Sequence, residues 1–181
     1  MRVIAGVYKS RILKDLKHND TRPTLDKIKG AVFSSINNKI INAKFLDLFS
    51  GTGSIGIEAV SRGCEIVYFN EINHVSYNLI KDNINMLKIM NYKLSKQDYK
   101  VFLSNNNHNK FDIIYLDPPF EMNYDEIINE INKYEIFNYN SILIIESKFD
   151  LQLLDVYDNL YKYNEKKYGS IKITYYKYGG N

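Results

Sequence analysis

Four expected strand ends in the chain deliver polar groups: Ser50-Gly51-Thr52-Gly53, Glu71, Asp98 and Asp117-Pro118-Pro119-Phe120. The first of them follows Phe45 to Phe49, a run that carries Asp47, and sets glycines at 51, 53 and 56 in the G-x-G-x-x-G spacing. Ile55, Ala59 and Val60 then share one helical face, so a strand turns into a helix through a glycine loop. Glycine admits a ligand close to the backbone, and a helix start offers unpaired N–H groups. That device fits a nicotinamide dinucleotide, S-adenosylmethionine, or nothing beyond a tight strand–helix turn. Glu71 stands twenty residues after Gly51, where a carboxylate accepts from both ribose hydroxyls. At Asp117-Pro118-Pro119-Phe120, two prolines fix the backbone and remove two donors. What remains is the Asp117 carboxylate and backbone carbonyls beside a flat ring. Acceptors without donors suit a target that is itself an amino group, and an aromatic ring suits stacking on a base.

The elements that must position these groups follow from periodicity. Arg2–Ala5 and Arg11–Leu13 read as a short β-hairpin about a Gly6 turn, and Thr24 is placed to cap a helix carrying Leu25, Ile28, Val32 and Ile36 on one face. Glu65–Glu71, a weaker Tyr92–Ser95, Phe111–Leu116 and Ser141–Glu146 read as further strands. Val75 to Leu87 and Tyr124 to Ile131 supply helical stripes between them. The last 25 or so residues alternate Tyr with polar residues around Tyr168-Gly169-Ser170, which suits an antiparallel pair at a sheet edge. Buried strands alternating with helices predict an α/β fold: a Rossmann-like, mostly parallel sheet with an antiparallel edge and helices on both faces. The expected organisation is one domain over 1–181, with 1–23 as a basic N-terminal extension.

Charge is unevenly spread over the 181 residues. Residues 1–30 hold eight basic side chains against three acidic ones, while the whole chain is only +3. A basic end on a near-neutral body calls for an anionic partner, most simply a phosphate backbone. The single cysteine, Cys64, excludes a disulfide framework and reads as a small buried residue. His18, His74 and His108 have no ligand spacing, so no metal is expected. No apolar stretch reaches transmembrane length and the start lacks a signal-peptide core, so a cytoplasmic protein without membrane contact is expected.

Taken together, Asp47–Ala59 resembles the cofactor loop of class I methyltransferases, and Asp117-Pro118-Pro119-Phe120 is similar to the motif of enzymes that methylate exocyclic amino nitrogens of bases. Met1-Arg2-Val3-Ile4-Ala5-Gly6, Thr21-Arg22-Pro23-Thr24 with Asp26, and Tyr168-Gly169 resemble the RsmD family of small-subunit (16S) ribosomal RNA guanine-N2-methyltransferases, over essentially the whole chain. Gly30 stands where that family usually has glutamate, and Gln97 where a glycine is common.

The resemblance implies methyl transfer from S-adenosyl-L-methionine to the N2 of a guanine in 16S RNA, in an assembling 30S particle, by a monomer. Asp117, Pro118, Pro119 and Phe120 would hold the target base. Asp47, Ser50, Gly51, Thr52, Gly53, Glu71, Ile72 and Asp98 would line the cofactor site, with Ile72 on the adenine and Asp98 accepting from its amino group. Lys9, Arg11 and Arg22 would hold RNA. A DNA or RNA adenine-N6 methyltransferase shares both central motifs, although this chain has no room for a target-recognition domain. An NAD-linked oxidoreductase leaves the Asp117 motif unexplained, and a catalytically silent RNA-binding protein has no need of four acidic strand ends.

Overall fold

In a computed structural model, residues 1–16 and 22–179 are described, the side chains of residues 22–25 excepted. Thr21 and His18 therefore lie outside the described residues, as does the Arg22 side chain. Eight strands form one sheet in the order β3-β2-β1-β4-β5-β8-β7-β6. They are β1 (Lys44–Asp47), β2 (Ile66–Asn70), β3 (Tyr92–Ser95), β4 (Phe111–Leu116), β5 (Phe137–Lys148), β6 (Val156–Tyr157), β7 (Leu160–Tyr168) and β8 (Ile171–Tyr178). The first five are mutually parallel; β8, β7 and β6 add an antiparallel edge, as the alternating tyrosines predict.

Helices cover both faces: α1 (Arg22–Ser35), the short α2 (Asn37–Ile40), α3 (Ser54–Ser61), α4 (His74–Leu87), α5 (Tyr99–Asn105) and α6 (Tyr124–Lys133). Period-2 geometry sorts the core. Along β4, Ile113 and Tyr115 join the layer under α1, α3 and α4, while Ile114 and Leu116 join the layer under α5 and α6. Strands buried on both faces explain the unbroken apolar runs of the sequence. Among the described residues no helix is long and apolar enough to cross a membrane.

Two expectations are revised and one element is added. The N-terminal hairpin is reduced to one isolated bridge, Arg2 opposite Ile12, because the segment docks on helices rather than pairing along its length. Val3 and Leu13 are buried, Asn83 of α4 exchanges two hydrogen bonds with the Lys14 backbone, and Ser61 of α3 receives the Val7 and Tyr8 amides. Thr24 falls inside α1, which begins at Arg22; Pro23 in the first turn has no N–H to waste there. The helix α5 was not legible as such: seven residues show too little of a 3.6 period. Cys64 is buried as expected, and burial pushes its thiol up to about 12.

Candidate active site

The sheet order places β1 and β4 side by side at the centre, where the chain stops adding strands on one side and starts on the other. In open α/β sheets ligands bind beyond the strand C-termini at that switch point. A cleft of about 550 Å³ lies there, a size suited to one cofactor and part of a substrate. Its walls include Asp47, Ser50, Gly51, Thr52, Glu71, Ile72, Asp98 and the whole Asp117–Phe120 segment. Gly53 does not line it.

The glycine loop is held by its own polar groups. Asp47, buried at the end of β1, accepts from the Gly56 N–H at 3.0 Å, and the Ser50 hydroxyl donates to the Asp47 carbonyl at 2.7 Å. Burial pushes the Asp47 carboxyl up to about 7, the Gly56 N–H opposing and Glu71 reinforcing. Gly53 serves by conformation: its φ is +76° as it caps α3, with Ile80 3.0 Å from where a Cβ would stand. Gly56 serves by closeness, since a Cβ there would meet the Phe69 ring of β2 at 2.2 Å. Together they bring α3 onto the sheet and leave the Gly51 backbone facing open space.

Glu71 latches this loop from the next strand. One oxygen accepts from Gly51 N–H and the other from Asn73 N–H, each at 2.7 Å, which leaves a lone pair on each for a diol. Asp98 caps α5 by accepting from Lys100 N–H at 2.8 Å with one oxygen, which leaves its second oxygen wholly free for a ligand. Ile72 is exposed at the rim, and Phe49 and Tyr99 tilt against each other with centroids 5.5 Å apart. Asn70, whose role the sequence did not reveal, donates to the carbonyls of Leu48 and Gln97 at 3.4 and 3.1 Å. It thereby ties together the loops after β1, β2 and β3.

On the β4 side, the Pro119 carbonyl is used by Met122 N–H at 3.0 Å. Among the described residues neither the Pro118 carbonyl nor the Asp117 carboxylate has a hydrogen-bond partner, so both acceptors stand ready in the cleft. Asp117 faces the water of the open cleft yet is walled by protein on its other sides. That enclosure pushes its carboxyl well above the usual carboxylate range, with Glu146 and Asp47 adding repulsion. The effect is greatest once a ligand displaces the water. Phe120 is exposed at the mouth, with the Lys148 ammonium 5.2 Å from its ring centroid.

Two further groups were not legible as site residues. Glu146, near the end of β5, is nine-tenths buried and accepts from the Tyr115 hydroxyl at 2.5 Å. Lys29 of α1 is buried at the cleft wall, donating to the Arg2 carbonyl at 2.6 Å and lying 3.6 Å from Glu58; burial lowers its pKa. The arginine and lysine of the extension are elsewhere: Lys9 and Arg11 are exposed outside the cleft, while Met1 reaches its wall.

The residues present fit S-adenosyl-L-methionine. Carboxylates at two successive strand ends suit a ribose and an adenine amino group, apolar and aromatic side chains suit the ring, and an acidic interior suits a sulfonium and an ammonium. Sheet order, switch-point cleft and loop define a class I S-adenosylmethionine-dependent methyltransferase fold. Known proteins agree. A family model described as conserved hypothetical protein 95 matches residues 1–177. The ribosomal RNA small subunit methyltransferase D of Buchnera aphidicola (subsp. Baizongia pistaciae) is 31% identical, covering 97% of this chain and 91% of that one. Its namesake from Haemophilus influenzae is 29% identical over 98% and 93%. A solved Escherichia coli chain described as a candidate methyltransferase superposes with a TM-score of 0.88 at 23% identity, covering 100% of this chain and 99% of that one. The chain belongs to the RsmD family.

Proposed function

We propose that the protein transfers a methyl group from S-adenosyl-L-methionine to the exocyclic N2 of a guanine in small-subunit (16S) ribosomal RNA. The observation that carries this reading is the pair of unpartnered acceptors, the Asp117 carboxylate and Pro118 carbonyl, at the β4 end of the cleft. Relatives named for small-subunit RNA methylation support the RNA as substrate.

The chemistry demanded of these residues is specific. Bound in the cleft, the cofactor supplies an electrophilic methyl on a cationic sulfur. The guanine amino lone pair is delocalised into the ring, so it is a weak nucleophile until its geometry is pyramidal. Asp117 and Pro118 accept hydrogen bonds from its two N–H groups and turn the lone pair toward the methyl; Asp117 also stabilises the positive charge that develops on nitrogen until one proton is lost. Pro118 and Pro119 hold these acceptors still, and Phe120 fixes the base plane, so positioning provides much of the rate. A base must leave its stack to enter such a pocket. Glu71, Gly51 and Asp98 hold the ribose and adenine, and Asp47 orders the loop. Lys9, Arg11 and Arg22 contribute phosphate contacts in a basic extension over 1–23 of a single methyltransferase domain. The working form is a monomer in the cytoplasm, acting on an assembling 30S particle.

Asp117→Ala tests the division of labour. Calorimetry should give near-normal cofactor affinity, while single-turnover methylation falls at least about a hundredfold. Turnover within a few-fold of wild type would remove Asp117 from the chemistry.

A further inference from the structure

The reading above leaves unexplained why the cleft carries a second carboxylate beside Asp117. The β4–β5 register pairs Leu116 with Ile145, so the next residues, Asp117 just past β4 and Glu146 within β5, stand side by side. Both line the cleft. Glu146 is nearly enclosed, with a relative exposure of 9%. Its Oε2 is fixed by the hydroxyl of Tyr115, itself fully buried, and the hydroxyl of Tyr124 donates to its backbone carbonyl at 3.2 Å. Its Oε1 has no hydrogen-bond partner among the described residues. A carboxylate so enclosed, held in one orientation with one oxygen free on the cleft side, is placed to take a donor from the ligand.

Base chemistry identifies that donor. The adenine N6 and cytosine N4 amino groups each have beside them one ring nitrogen, N1 or N3, that only accepts. The guanine N2 amino group is flanked on one side by N1–H, a donor. A carboxylate beside the one that holds the amino group is therefore matched by guanine and opposed by adenine and cytosine, whose lone pairs would face its own.

We propose that Glu146 is the residue that selects guanine: its Oε1 accepts the N1–H while Asp117 accepts from the N2 amino group, with Tyr115 as the positioning residue that keeps Glu146 in place. This rests on the amino-methylation reading and adds to it the identity of the base.

The test uses RNA in which the acceptor guanine, first mapped by fragment analysis of methyl-labelled RNA, is replaced by 2,6-diaminopurine in reconstituted small-subunit particles. That base keeps the N2 amino group but presents N1 as an acceptor. The wild-type enzyme should lose at least about a hundredfold in kcat/KM on the substituted RNA, as sites built around a hydrogen-bonding group do. Glu146→Gln, whose amide can donate to N1, should bring the two substrates within about tenfold of each other, and Tyr115→Phe should narrow the gap part of the way. Cofactor affinity and melting temperature report that each variant is folded. Wild-type rates within about threefold on the two RNAs would overturn the proposal, and this arm decides alone if the variants do not fold. Strong wild-type discrimination unchanged in folded Glu146→Gln would also overturn it, by assigning the selection to contacts at position 6. Failure to methylate any guanine amino group would instead bring down the reading on which the proposal rests.

Discussion

The acidic side chains of the cleft act as a set. Asp47, Asp117 and Glu146 converge on one end of the sheet with each carboxyl pushed upward, Asp47 and Glu146 by burial and Asp117 by the protein walls around it and by its two acidic neighbours. Asp117 must be ionised to accept from an amine, so activity is lost as pH falls through its raised pKa. The acid limb of kcat/KM against pH should thus lie above the ordinary carboxylate range. Removing the adjacent charge in Glu146→Gln should move that limb to lower pH; a pH profile with an unmoved limb would show that the two carboxyls do not interact. On the cofactor side, Glu71→Ala removes two charged acceptors at once and should weaken S-adenosylmethionine binding by about 1.5–3 kcal/mol. Unchanged affinity by calorimetry in a folded variant would take Glu71 out of the site. Glu71, Asp98 and Asp117 were legible because each stands at or shortly beyond a strand end next to a recognisable loop. Glu146 also follows an apolar run, Ile142 to Ile145, but no motif surrounds it, and Tyr115 lies inside a run. What sets Glu146 beside Asp117 is the β4–β5 pairing, a long-range register that local pattern does not encode.

At the scale of elements, the N-terminal segment is a structural part as well as a basic one. Glu58 of α3, fully buried, accepts from the amides of Ile4 and Ala5 at 2.8 and 3.0 Å and pairs with Lys29 and Arg62. Glu58→Ala would strand two cations and two amides, and should lower stability by about 3–5 kcal/mol in thermal or urea unfolding. A loss under 1 kcal/mol would mean that the segment is not anchored there. Gly30 offers the opposite opportunity. It lies in α1 with only Ile4 near, 4.0 Å from where a Cβ would stand, so Gly30→Ala should stabilise by about 0.5–1 kcal/mol. The parallel strands and longer helices were legible because each buries a continuous face. The anchoring of residues 1–16 was not, because its donors and acceptors are backbone groups meeting Glu58, Ser61 and Asn83 more than fifty residues away.

For the molecule as a whole, the basic segment and the cleft are joined through the N-terminus. Lys9 and Arg11 are exposed on a segment whose first residue reaches the cleft wall and whose Val7 and Tyr8 amides bind Ser61 at the other end of α3. If those side chains carry RNA, replacing Arg11 and Arg22 together by Ala should flatten the salt dependence of RNA binding by about one to two units of slope. The melting temperature should barely move, since the segment is anchored through Glu58 and Ser61 and an exposed side chain such as that of Arg11 contributes little to stability. An untouched slope with a lowered melting temperature would place the RNA elsewhere. The central claim is tested most directly by transfer of labelled methyl from S-adenosyl-L-methionine to small-subunit particles that lack the modification, followed by nucleoside analysis of the RNA. The account predicts label in N2-methylguanosine of the 16S RNA, absent with Asp117→Ala; label confined to N6-methyladenosine or to protein would contradict it.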